Sequence, residues 1–163
     1  MDIIKEYTRL IEFDLFKEFI SLNDKFYLGH IYTMSGADNA ASLEFGFYNE
    51  DTDKIVVFET SPLRKRDEEE AFKEGRTINL LDLSSVKVSL EEALEIAEKT
   101  RKEKYPSEII YKSIMILQNI GTQVWNITLI SMSFNIINIR IDAETGEVLQ
   151  TNIHSIMNLG TKI

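Results

Sequence analysis

Val88-Ser89-Leu90-Glu91-Glu92-Ala93-Leu94-Glu95-Ile96-Ala97 decides the reading of this chain. Ser89 followed three residues later by Glu92 is a capping box, in which the hydroxyl accepts from the Glu92 amide and the carboxylate reaches back to the Ser89 amide. Leu90, Ala93, Leu94, Ile96 and Ala97 supply an apolar face at helical spacing. Glutamates fill the first turns and Lys99, Arg101, Lys102 and Lys104 the last, a gradient that complements the helix dipole. Pro106 stops the helix, so one amphipathic helix spans 89–104.

Strands follow it. Ile109–Gln118, Val124–Ser133 and Asn135–Asp142 are β-branched and aromatic runs. A turn at 119–123 uses Gly121, and Asp142-Ala143-Glu144-Thr145-Gly146-Glu147 turns the chain into Val148–Ile153. Trp125, Ile127 and Leu129 share one face of their strand. Upstream, residues 2–20 read as one helix with Asp2 as N-cap and Tyr7, Ile11, Leu15 and Phe19 at steps of four, beside Ile4, Phe16 and Ile20. Lys25–Met34, Ala41–Tyr48 and Lys54–Thr60 read as strands, with turns at 35–39 and 49–53. The charged run Arg64–Glu70 reads as an exposed loop or short helix, and Thr77–Asp82 as a short strand. The fold class is therefore α+β, with the order helix, strand, turn, strand, turn, strand occurring twice. The expected division is 1–85, a helix with a three- or four-stranded sheet, and 86–163, a helix with an antiparallel sheet.

Two segments, Val88–Ala97 and Ile139-Arg140-Ile141-Asp142-Ala143-Glu144-Thr145-Gly146-Glu147-Val148-Leu149, with the strand around Trp125 between them, resemble the PepSY domain over about residues 86–153. The first half lacks the closing turn and reads as a degenerate second copy. The resemblance implies a non-catalytic module, found in propeptides of secreted metallopeptidases and in membrane or cell-wall proteins, that inhibits or regulates peptidases or binds peptides. It carries no catalytic residues, and most members are extracytoplasmic.

Composition bounds the chemistry. The 163 residues carry a formal net charge of −9, which repels phosphate backbones and anionic lipid surfaces. No nucleic-acid partner is expected, and the polar residues and Gly121 within the uncharged stretch 114–139 argue against membrane insertion. Residues 1–85 hold 10 Lys/Arg against 18 Asp/Glu; residues 86–163 hold 8 against 9. There is no cysteine, hence no thiolate nucleophile or thiolate metal site. Charges at positions 2, 5 and 6 do not suit a signal peptide, so the chain taken as full length is expected in the cytoplasm. His30 and His154 lack metal-site spacing. The acidic turns at 50–53 and 142–147 could do acid–base work, but a backbone-capping role explains them more simply. No metal, cofactor or enzymatic activity is expected.

Ile114–Ile139 contains no charged residue, although a sheet with one wet face ordinarily alternates charge along it. Either the other half of the chain covers this neutral face, the simpler reading, or a partner does. The expected binding residues are Trp125, Ile127, Leu129 and Met132, with Met115 and Met157 adding adaptable surface; Trp125 alternatively packs between helix and sheet. The expected function is a non-catalytic binding or regulatory module for a peptide or protein, acting at an open sheet edge or on the neutral face. A homodimer built on that face and a hydrolase using the acidic turns are the alternatives.

Overall fold

The computed structural model describes residues 1–36, 42–71, 73 and 75–159. The elements run α1 (Ile3–Glu12), α2 (Asp14–Leu22), β1 (Phe26–Gly36), β2 (Glu44–Asn49), β3 (Lys54–Thr60), β4 (Leu63–Lys65) and β5 (Glu69–Glu70). A 3-10 turn (Leu83–Ser85), α3 (Leu90–Lys104), β6 (Ile110–Asn119), β7 (Gln123–Ser131), β8 (Asn135–Asp142), β9 (Val148–Ser155) and α4 (Ile156–Leu159) follow. The architecture is α+β, as expected. Ala41 and turn residues 37–39 lie outside the described residues.

Among the described residues the strands form one nine-stranded sheet in the order β4-β3-β2-β1-β6-β7-β8-β9, with β5 beside β4 on the outer edge of β3. Each half is a meander of antiparallel neighbours. The halves join through their first strands, with Ile31 opposite Leu117 and Thr33 opposite Met115. Because side chains alternate across a strand, this register lines up Phe58, Phe45, Ile31, Leu117, Trp125 and Ile141 on one face. That face and the apolar faces of α1, α2 and α3 form a single core.

The capping box at Ser89 is present in full: Glu92 N donates to Ser89 Oγ at 3.1 Å, and Ser89 N donates to Glu92 Oε2 at 2.7 Å. Two of the orphan amides at the helix start are thereby satisfied. Ser89→Ala is expected to lower stability by about 1 kcal/mol, measured as a shift of the urea midpoint; no shift would mean that α3 is held by packing alone.

The expected single helix over 2–20 is two helices. Phe13 is extended (φ −70°, ψ 136°) and its amide donates to Leu10 O at 3.1 Å. Each segment then presents its own buried stripe, Ile3 and Leu10 in α1, Phe16 and Phe19 in α2. The break lets Phe16 reach Phe47 and Phe58, at ring separations of 5.1 and 5.3 Å, and lets Phe19 reach Phe26 at 5.1 Å. Ile4 and Leu15 of the expected stripe end up exposed.

The run 64–70 is not helical: it holds the end of β4 and all of β5 on either side of an irregular, largely exposed stretch at 66–68. β4 folds back on β3 with Glu59 opposite Arg64, and Arg66 pairs with both Glu44 and Glu59, at 3.2 Å to the latter. Its charges are balanced across strands instead of along a helix. Residues 77–82 form no strand: Leu81 N donates to Leu28 O at 2.8 Å and Leu81 is buried, while Asp82 N donates to the Gln123 side chain at 3.0 Å. The core-forming helices of both halves lie on the same side of the sheet, and on the opposite side the first half reaches the neutral strands through residues 76–80, which lie against Ile116, Gln118 and Asn119 of β6.

Candidate functional site

The sheet has two edges of opposite character. An edge strand displays unpaired amides and carbonyls, and proteins blunt such edges with short strands and charge. The β3 edge is blunted in this way by three-residue β4 and two-residue β5, which carry Arg64, Lys65, Glu69 and Glu70. The other edge is β9, Val148-Leu149-Gln150-Thr151-Asn152-Ile153-His154-Ser155. It is eight residues long, with no charged residue and no proline. Among the described residues nothing pairs with its outer side. Leu149 and Ile153 are exposed on it.

An apolar rim sits at the far end of β9. Met132 N donates to Ile109 O, and Ile156 N donates to Phe134 O, both at 2.8 Å, so the β7–β8 turn, the start of β6 and the end of β9 meet there. Ile109, Met132, Phe134 and Met157 are 58–73% exposed, a concentration of apolar side chains that a surface seldom leaves open.

Of the expected binding residues, only Met132 lies on this surface. Trp125, Ile127 and Leu129 are buried beneath α3 and the sheet. Trp125 Nε1 donates to Val88 O at 2.9 Å, which gives the indole its one polar partner and ties β7 to the residue preceding the α3 cap. Met115 is also core. The exposed side of the neutral strands is largely self-satisfied: Asn138 Nδ2 donates to Asn126 Oδ1 at 3.0 Å and to Thr128 Oγ1 at 3.2 Å. Sequence reasoning missed Leu149, Ile153 and Phe134. The signal available was a closing strand without Lys, Glu or Pro, the opposite of what an edge usually carries.

The acidic turns are occupied by structural work. Asp142 accepts from Thr145 N at 2.9 Å and Glu144 N at 2.8 Å, and these amides hold its carboxyl below the usual range. Gly146 takes φ +80° beside them. Asp53 is bound by Lys73 at 2.7 Å and by the Tyr48 hydroxyl at 2.6 Å, which lower its pKa in that order. His30 on β1 and His154 on β9 are separated by three intervening strands, roughly 19 Å at the usual strand spacing, so they share no metal site. Among the described residues no three His, Asp or Glu side chains are grouped to hold a metal ion. No helix among them is long and apolar enough to cross a membrane.

Comparison with known proteins agrees with the C-terminal geometry. The family described as peptidase propeptide and YPEB domain, PepSY, matches residues 87–152. The fold is similar to a crystal structure of a “putative lipoprotein” (CD1622) from Clostridium difficile 630, with a TM-score of 0.56 at 15% identity, covering 86% of this chain and 91% of that one. No curated protein sequence matches. The matched segment begins beside the α3 cap and ends within β9, so it contains the helix, the Trp125 strand and the Asp142 turn. Residues 87–152 of this chain are a PepSY domain.

Proposed function

We propose that this chain is a non-catalytic regulatory module that binds an extended peptide or protein segment along β9, in the manner of a peptidase propeptide. The observation that carries the reading is the asymmetry of the sheet: one edge is short and charged, the other long, neutral and open. Strand addition draws its affinity from main-chain hydrogen bonds, and alternate side-chain contacts supply selectivity. Met132 and Phe134 at the rim would receive apolar side chains of the incoming strand. The family precedent supports an extracytoplasmic setting for this role.

The test uses a display library of random extended octapeptides with hydrogen exchange as the readout. The amides of 148–155 are expected to gain protection when peptide binds, and Ile153→Lys is expected to abolish capture while changing stability by less than about 0.5 kcal/mol. Undiminished capture by the variant would refute the β9 assignment. If instead the wild type sediments as a dimer that Ile153→Lys dissociates, the edge belongs to a second copy of the chain.

The division at residues 85 and 86, with the first half a degenerate copy, is proposed on the shared element order. Residues 86–163 expressed alone are then expected to fold, and an unfolded fragment would argue for one indivisible domain.

A further inference from the structure

On the sheet face away from the helices, residues 76–80 cross back over β1. Ile78 lies on Gly29, where an added Cβ would meet Ile78 Cγ2 at 2.8 Å. The His30 ring lies on Gly46, where an added Cβ would come within 2.0 Å of its Cε1. The two glycines thus make room for side chains that would otherwise be pushed off the sheet. A cavity of about 360 Å³ opens between this crossing and β6. Its lining includes Ile55, Ile78, Ile116 and Ile120, the polar side chains of His30 and Gln118, and the cations Lys73 and Arg76.

His30 and Gln118 are direct cross-strand partners. Hydrogen bonds fix the surrounding walls: the Tyr27 hydroxyl donates to Ile78 O at 2.6 Å, Asn79 Nδ2 to Asn119 O at 3.3 Å, and Asn119 Nδ2 to Leu80 O at 2.8 Å. Among the described residues, none reaches the side chain of His30 or of Gln118. Both side chains are half-buried and line the cavity, so their polar atoms are open to a ligand. Lys73 is engaged by Asp53 and Tyr48; Arg76 makes no ion pair among the described residues.

We propose that this cavity binds a small carboxylic acid with an apolar body, its carboxylate accepting from the His30 imidazole and the Gln118 amide with Arg76 closing the mouth. Two neutral donors and one cation match a single negative charge, and four isoleucines match a branched or planar hydrocarbon body. Burial keeps the imidazole neutral, so it offers one N–H and no charge of its own. A cationic ligand would meet Lys73 and Arg76 at the entrance.

The experiment is an amide NMR titration of the whole chain with benzoate, phenylacetate and isovalerate at millimolar concentration, with benzamide as the uncharged control. Saturable shifts are expected at Gly29, Gly46, Ile78 and Gln118 with at least one acid. Binding of benzamide should be weaker than that of benzoate by about tenfold, the scale of one charge-assisted hydrogen bond. Arg76→Gln and Gln118→Leu should each weaken the acid by a similar factor, and the His30 ring nitrogens of the wild type, read in the same titration, should shift with it. The proposal is overturned if none of the three acids moves these signals, if benzamide binds as well as benzoate, or if both variants keep full affinity. The cavity lies on β1, β6 and the crossing segment, so this result is independent of peptide capture at β9.

Discussion

Trp125→Ala is expected to cost about 3–5 kcal/mol, comparable with the whole stability of many domains of this size. The side chain is 1% exposed, sits in the row of β7 residues with Ile127 and Leu129, and is surrounded by core on the helix side of the sheet. Alanine would leave a large cavity and also strip Val88 O of its indole donor. Since Val88 precedes the α3 cap, the loss acts on the point where helix and sheet are joined. Trp125→Phe keeps most of the apolar volume and isolates the hydrogen bond, for which about 1–3 kcal/mol is expected. Met132→Ala, at an exposed position on the neighbouring turn, should stay within about 0.5 kcal/mol of wild type. Urea unfolding with linear extrapolation gives all three values. A Trp125→Ala chain as stable as the Met132→Ala chain would contradict the assignment of the indole to the core.

The second large effect is a loss of stability in mild acid through His30. Burial, with a smaller contribution from the Arg66 guanidinium, lowers its pKa from the ordinary 6.5 to about 4. The unfolded chain therefore takes up a proton below pH 6.5 that the folded chain refuses until about pH 4. The stabilisation is fully present above pH 6.5 and is lost as pH falls towards 4, for a total of about 3 kcal/mol. The carboxylates held below their ordinary range, such as Asp142 and Asp53, lose their contribution lower on the scale, where they protonate in the folded state. His30→Gln should flatten the curve of unfolding free energy between pH 6.5 and 4. An equally steep curve in that variant would assign the acid sensitivity elsewhere.

What could be read from the residues alone was what neighbours in the chain decide. The α3 cap, the Gly121 and Gly146 turns and the bounds of β3 and β8 follow from local chemistry, and the structure places them as expected. The break at Phe13 was hidden because apolar residues continue at helical spacing through it, and only the aromatic cluster on β2 and β3 makes two short helices better than one long one. The strand at Leu63–Lys65 was hidden for a related reason: its charges look solvated until Glu59 and Glu44 are brought opposite them. The seating of His30 on Gly46 joins two strands across a long turn and leaves no trace in either segment. The candidate site was half legible. Met132 is exposed, but the neutrality of Ile114–Ile139 pointed to a face, whereas much of that span is core and the open edge is β9, the strand next to the end of the span.

Joining the two meanders through β1 and β6 sends their last strands to opposite ends of the sheet. One of those ends is short and charged and the other long and neutral, an asymmetry that bears on stoichiometry. A sheet competent at both ends can recruit copies of itself without limit, as fibres do. When two copies of a sheet with one competent end pair through those ends, the edges left outermost are both blunted and growth stops. Self-pairing of two chains through β9 should therefore stop at a dimer.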